Sequence, residues 1–234
     1  MDTLAAAYER CRQVHRQHGR SYYLATRLLP TWKRRHVHAL YAFTRYADDI
    51  VDATQELPVA ERARRLDAWS AAFLAGLAGP TVEPVPGADP DGSPGGCPAG
   101  DAGPEQGAAL LFAVRHTIRV FDLDLGDFRT FLDSMAMDLT VTSYRTNPDL
   151  LGYMAGSAAA IGTMMLPILQ AGPAAGPVSP GRSGDRDRVS DGDRASDGDR
   201  GGDRDRAAGP ARQLGLAFQL TNFIRDVGED LDRG

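Results

Sequence analysis

The chain has little cysteine: two residues in 234, Cys11 and Cys97. That excludes a disulfide framework, and no His/Cys spacing marks a zinc site. Long hydrophobic runs are also missing. The longest apolar stretch, Ala158 to Leu169, is too short to cross a bilayer and is interrupted by Gly162 and Pro167. The N-terminus meets charge at Asp2, Glu9 and Arg10, too early for a secretory signal. Nor is there a basic excess. Lys and Arg number 26 against 31 Asp and Glu, a formal net charge of −5, so sequence-independent binding to nucleic acid is not expected. No segment alternates apolar and polar residues with period two over a useful length, so no sheet is expected. What remains is a cytoplasmic, all-α protein.

Glycine and proline are scarce as well, outside two blocks. Residues 79–107 hold 8 Gly and 7 Pro, and residues 171–210 hold 9 Gly and 4 Pro, out of 26 and 15 in the whole chain. The first block has almost no apolar side chains to offset the entropy of ordering it and reads as a flexible loop. In the second, an Asp-Arg dipeptide returns every six residues, at Asp187, Asp193, Asp199 and Asp205. A calcium-binding repeat would need further oxygen ligands and a distal Glu. Here Arg alternates with Asp, which reads as a disordered polyampholyte. The expectation is one domain over 1–234, with low-complexity insertions at about 79–107 and 171–210.

The remaining residues are enough for a sizeable core. Val14 to Leu29 reads as helix interrupted at Gly19-Arg20-Ser21. Pro30 suits a first helical position, followed by Trp32, His36, Leu40, Phe43 and Ala47 at spacings of three and four. Further helices are expected at 59–78, 107–121, 127–141, 148–170 and 211 to about 230. Pro58 and Pro148 suit helix starts, whereas Pro167 suggests a kink or an early end.

Two acidic clusters carry the chemistry. In Arg45-Tyr-Ala-Asp48-Asp49-Ile-Val-Asp52, Asp48 and Asp52 fall at i and i+4 on one helix face. Like charges so placed repel unless a cation joins them. Carboxylate oxygens without His or Cys suit a hard cation, and sparse ligation suits Mg²⁺ that keeps its waters and a phosphate. Arg45, three residues earlier, can pair with a carboxylate or grip a phosphate oxygen. An acidic stripe on a solvated face would read the same way. The second cluster, Gln219-Leu-Thr-Asn222-Phe-Ile-Arg225-Asp226-Val-Gly-Glu229-Asp230, stacks Asn222, Asp226 and Asp230 along one face beside apolar neighbours. Polar groups on a half-buried helix are costly unless bonded or metal-bound. Two such helices facing each other would form a carboxylate-lined cavity.

These two motifs resemble the aspartate-rich motifs of the squalene and phytoene synthases, the head-to-head trans-prenyl synthases. Ser21-Tyr-Tyr-Leu-Ala-Thr-Arg27-Leu-Leu-Pro30 resembles the family's N-terminal substrate segment. Met137-Asp138-Leu-Thr-Val-Thr-Ser-Tyr144 and Tyr153 to Gly162 resemble the segments lining its cavity, and Tyr144-Arg-Thr with Ala158 to Pro167 look most like bacterial phytoene synthases. The resemblance implies an isoprenoid-synthase-type helical bundle around a central cavity. It implies Asp48, Asp52, Asn222, Asp226 and Asp230 as ligands of Mg²⁺, with Mn²⁺ as an alternative, and Ser21, Tyr41, Arg45, Gln219, Asn222 and Arg225 as substrate contacts. Asp48, Asp52, Asp226 and Tyr153 would be catalytic.

For Arg225 a salt bridge to Asp226 or Glu229 is the other reading, and for Tyr153 a core tyrosine. Ala155 to Gly162 would line the tunnel or serve as a packing face. The implied activity joins two geranylgeranyl diphosphates into phytoene without NADPH, by way of a cyclopropyl diphosphate. Alternatives are a squalene-type synthase using farnesyl diphosphate, or a non-catalytic relative acting as an assembly partner. Peripheral membrane contact is implied by the lipid product. Family members continue beyond the second motif, so the domain is expected to be incomplete at its C-terminus.

Overall fold

The computed structural model describes residues 3–53, 57–78, 104–171 and 206–222, and among these it is all-α. The helices are α1 (Thr3–His18), α2 (Arg20–Thr26), α3 (Thr31–Asp52), α4 (Val59–Ala78), α5 (Pro104–Phe121), α6 (Leu125–Asp138), α7 (Asn147–Met154) and α8 (Ala160–Gln170). A π-helical turn, Ala155–Ala159, fuses α7 to α8. Residues 206–222 form α9.

α3 is the axis of the bundle. Its 22 residues span roughly 33 Å at 1.5 Å per residue, and it packs against α1, α2, α4, α5, α6 and α8. Phe43, at its middle, is fully buried and touches the rings of Trp69, Phe73, Phe128 and Phe131 from α4 and α6. Truncating such a phenylalanine costs about 3–5 kcal/mol, so this aromatic cluster fixes where the C-terminal half of α3 lies. Arg62 of α4 is buried and donates to the Val51 carbonyl, satisfying an otherwise orphaned acceptor at the end of α3. Lys33 reaches from the other end of α3 to the Leu169 carbonyl in the last turn of α8, 2.5 Å away, where a cation meets the negative end of the helix dipole.

Local chemistry sets most of the boundaries. Asp124 caps α6, accepting from the Gly126 amide, and Thr146 caps α7, accepting from the Asp149 amide, with Pro148 in the first turn. The Pro58 carbonyl receives the first amides of α4. Five expected boundaries are corrected. α1 starts at Thr3, well before Val14. Pro30 is the N-cap of α3, in an extended conformation, so the helix begins one residue later. α6 stops at Asp138, because the Leu139 and Thr140 amides tighten into i→i−3 bonds ahead of Val141 and Thr142. The expected end at residue 170 is met, and the early end suggested by Pro167 is the boundary corrected, since α8 runs through that proline to Gln170. The missing amide removes one bond in the last turn, which does not end the helix.

The fifth correction concerns the edges of both Gly/Pro blocks. Pro104–Gly107 belong to α5 and residues 206–210 to α9. Proline needs no amide in a first turn, and Ala207 and Ala208 carry α9 back past Pro210. The rest of both blocks, 79–103 and 172–205, lies outside the described residues, apart from Ala171, which follows α8.

Asn147–Gln170 forms a continuous helix of 24 residues, long and apolar enough to cross a membrane. More than half of its apolar window is buried inside the bundle, and its inner face walls a cavity.

Candidate active site

Small residues create the room for this cavity. A Cβ on Gly162 would come within 2.5 Å of the Ala211 carbonyl oxygen, and one on Gly215 within 2.6 Å of the Ala158 carbonyl oxygen. α8 and α9 therefore cross backbone to backbone, which only glycine permits at these two points. The cavity beside this crossing has a volume of about 510 Å³. α2 contributes Tyr22 and Thr26, α3 contributes Val37, Leu40, Tyr41 and Thr44, and the fused helix contributes Ser157, Ala158, Ile161 and Met165. α9 contributes Leu214, Phe218, Gln219 and Asn222. The lining is mainly apolar, suited to a long hydrocarbon rather than to a sugar or nucleotide.

The first acidic cluster stands on the last turns of α3. Arg45 spans two of its members, 3.2 Å from Asp48 and 2.5 Å from Asp49. Of the two roles open to Arg45, carboxylate pairing is therefore the one observed. Asp48 is pushed up to about 6, first by partial burial and then by the charge of Asp52 one turn away, with smaller contributions from Asp49 and Asp138. The i, i+4 placement read from the sequence is thus an actual electrostatic conflict. Asp138, at the end of α6, is also pushed up to about 6 by burial, while the Tyr153 hydroxyl donates to its Oδ2 at 2.9 Å and holds it down.

Asp48, Asp52 and Asp138 thus bring negative charge from two helices to one place. Among the described residues no group of three His, Cys, Asp or Glu side chains stands close enough to hold a metal by itself. The donor set nevertheless fits a hard divalent cation: carboxylate oxygens only, with burial and the charge of Asp52 opposing ionisation of Asp48 and Asp138. With few protein ligands, phosphate and water would complete the shell.

The other sequence candidates divide as follows. Tyr41 is half-buried in the cavity wall, and Gln219 and Asn222 face it across the cavity from α9. Gly19 is required by this arrangement, because a Cβ there would sit 2.6 Å from the Tyr41 ring. Tyr153 is buried and faces Asp138, so it belongs to the acidic cluster and not to the cavity wall. Ser21 is exposed on the first turn of α2 and is not in the wall, whereas its neighbour Tyr22 is. Within Ala155–Gly162 both readings hold at different residues. Ser157, Ala158, Ile161 and Gly162 line the cavity, Ala160 packs into the core, and Ala155 is exposed. Arg225, Asp226 and Asp230 lie outside the described residues.

Asp138 was visible in the sequence only as part of a segment and not as a ligand. Its signal would have been an aspartate at a helix end with a tyrosine fifteen residues on that can return to it.

Comparison with known proteins decides the lineage. The model of the squalene/phytoene synthase family matches residues 15–234. The chain belongs to the squalene/phytoene synthase family. Among curated proteins it is 29% identical to the 15-cis-phytoene synthase of Synechococcus elongatus and 30% identical to the phytoene synthase of Arthrospira platensis, in each case over 99% of this chain and 60% of the relative. It is 28% identical to chloroplastic phytoene synthase 3 of Zea mays, over 99% of the chain and 42% of the relative. The chain thus spans about three fifths of its bacterial relatives. A solved dehydrosqualene synthase bound to a ligand superposes with a TM-score of 0.61 at 22% identity, covering 99% of this chain and 60% of that one. That likeness establishes the family's all-α isoprenoid-synthase fold. In this family member the acidic cluster Asp48–Asp52 ends α3, and Gln219 and Asn222 line the cavity from α9.

Proposed function

We propose that this family member joins two prenyl diphosphates head to head with the help of Mg²⁺, taking geranylgeranyl diphosphate to phytoene. One observation carries the reading. An apolar cavity large enough for isoprenoid tails adjoins helix ends that carry crowded carboxylates and a half-buried arginine. The kinship with proteins named phytoene synthase supports the choice of product.

Asp48 and Asp52 would hold the cation from α3, and Asn222 from α9, with Asp226 and Asp230 completing the set; Asp138, whose charge acts on Asp48 from the end of α6, adds to the negative potential there. Bound there, the cation would neutralise a leaving diphosphate and ease its departure from the allylic carbon. Arg45 sits within reach and exchanges its carboxylate partners for phosphate oxygens, a bidentate match. Tyr153 fixes the rotamer of Asp138. Gln219 and Tyr41 mark the boundary between the polar end and the apolar cavity. The cavity wall keeps water from the carbocation while the second prenyl double bond attacks it. Loss of a proton closes a cyclopropyl diphosphate, and a second ionisation with rearrangement gives the linear hydrocarbon.

The test is incubation with geranylgeranyl and farnesyl diphosphates in parallel, with Mg²⁺, with and without NADPH, followed by lipid extraction. Phytoene from the C20 substrate without NADPH is the expected product. A C30 product formed from farnesyl diphosphate alone would reassign the substrate. Product that survives Asp48→Ala undiminished would remove the acidic cluster from the chemistry.

A further inference from the structure

Among the described residues, two that line the cavity carry a buried polar atom without a hydrogen-bond partner, Nε2 of His15 and Oγ of Ser157, and the imidazole is the one that can act as a base. His15 lies on α1, is 1% exposed, and lines the cavity. Its Nδ1 is 2.9 Å from Nδ1 of His38 on α3. Its ring stacks flat on Tyr41, with centroids 4.0 Å apart and planes 9° apart, and meets Tyr23 edge-on. Its Nε2 is buried and has no hydrogen-bond partner. A buried imidazole nitrogen left unpaired is costly, while its neighbours hold the ring on three sides. Such a nitrogen is suited to meet something that enters the cavity.

We propose that His15, which lines the cavity, is the base that takes the proton from the prenyl carbocation at its unpartnered Nε2, while its Nδ1–H donates to Nδ1 of His38. The inference rests on the prenyl-condensing reading above and adds a catalytic residue to it. In the step, the C–H bond beside the cationic carbon breaks and its electron pair closes the new carbon–carbon bond. The proton forms an N–H bond at Nε2, and the positive charge moves from carbon to the imidazolium. The departed diphosphate or water then takes the proton away and restores the neutral ring.

The resting ring is ready for this role. Burial first, and then the neighbouring His38, push its pKa down to about 4, so it is neutral with its lone pair available at physiological pH. A base that weak still accepts a proton from a carbocation, which is a far stronger acid. Placement on Tyr41, one turn before Arg45 on α3, puts the nitrogen next to the polar end of the cavity, where the cation would form.

Two measurements test the proposal, and one of them does not depend on turnover. In the first, wild type and His15→Phe, which keeps the ring stack, are titrated with geranylgeranylamine plus inorganic pyrophosphate, and with neutral geranylgeraniol. The ammonium group mimics the cation and can donate to Nε2. Wild type is expected to prefer the amine by about tenfold, the worth of one charge-assisted hydrogen bond, and His15→Phe is expected to lose that preference while still binding the alcohol. An unchanged preference overturns the proposal. Failure of wild type to bind either probe overturns the prenyl reading itself, and the inference with it.

In the second, diphosphate release and hydrocarbon yield are measured together with Mg²⁺ and geranylgeranyl diphosphate. His15→Phe and His15→Gln should keep releasing diphosphate while the hydrocarbon gives way to prenyl alcohols, as water quenches a cation that cannot lose its proton. A parallel fall in both quantities, or an unchanged ratio, overturns the role of His15. Should His15→Phe not fold, His15→Gln carries both arms, because its amide cannot serve as a proton acceptor at physiological pH.

Discussion

The two halves of α3 handle polar groups in opposite ways. Toward its N-terminus, Lys33, His36 and His38 are buried and hydrogen-bonded, Lys33 to the Leu169 carbonyl, His36 to Tyr8 and Thr117, and His38 to His15. His36 Nδ1 is 3.0 Å from both the Tyr8 hydroxyl and Thr117 Oγ1, and the same Tyr8 hydroxyl reaches His116 Nδ1 at 2.8 Å. This network ties α1, α3 and α5 together. Toward the C-terminus, Asp48, Asp49 and Asp52 repel one another, with one arginine between the first two. A satisfied polar cluster rigidifies a core. A crowded, under-compensated one stores a conflict that a ligand can relieve, which is how binding sites are commonly built. The difference shows that polarity on a helix does not by itself mark function; incomplete compensation does.

Substitutions at each end sharpen this contrast. The largest effect on activity is expected from Asp48→Ala, a loss of product of about a thousandfold, since metal-assisted departure of a charged group is worth several kcal/mol. Stability should stay level or rise, because a strained charge is removed. Product formation and thermal melting measured on one preparation check both. The reverse pattern is expected for His36→Ala. It leaves Tyr8 and Thr117 short of a buried partner and opens a cavity, costing about 2–4 kcal/mol. A melting midpoint lower by several degrees, with activity per folded molecule nearly unchanged, is the expected result. Equal loss of activity and stability in both variants would erase the distinction between the halves.

Next in size is Gly215→Leu, which cannot keep its approach to the Ala158 carbonyl. It should displace α9 with Gln219 and Asn222, raising the KM for prenyl diphosphate more than it lowers the melting point. Gly19→Ala should do the same more weakly, by pushing the Tyr41 ring.

The smallest effect is on the pH dependence of stability, and here the two halves have opposite signs. Burial pushes His15, His36 and His38 down to about 4, 3 and 4. The unfolded chain therefore takes up protons that the fold refuses, and stability falls as pH drops below about 6.5, the free-histidine value. Asp48 and Asp138, pushed up to about 6, hold protons that the unfolded chain releases, so they add stability as pH falls from 6 toward 4. Between pH 6 and 4 the two trends oppose each other. In the Asp48→Asn, Asp138→Asn double variant the opposing gain is gone, and urea midpoints across that range should fall more steeply than in wild type.

How much of this was legible in the sequence varies by residue. Apolar spacing and the capping residues Asp124, Thr146 and Pro58 are local signals, so the helices could be placed to within a few residues. The i, i+4 pair Asp48 and Asp52 was legible for the same reason. The N-terminal helix up to Val14 was missed because it mixes charged and apolar residues through two turns. Asp138 and His15 were illegible as site residues because their meaning is tertiary. Asp138 matters through Tyr153 and α3, and His15 through an Nε2 that only the packed bundle leaves unpaired. The His36 network was illegible for the same reason: four side chains from three helices share hydrogen bonds that no spacing announces.

The assignment of the acidic end of α3 as a cation-dependent diphosphate site is tested most directly by calorimetric titration. A non-hydrolysable geranylgeranyl diphosphate analogue would be added to wild type and Asp48→Asn, with and without Mg²⁺. Binding that requires Mg²⁺ and weakens at least about tenfold in Asp48→Asn is the expected result. Equal affinity in the two proteins, or binding indifferent to Mg²⁺, would contradict it.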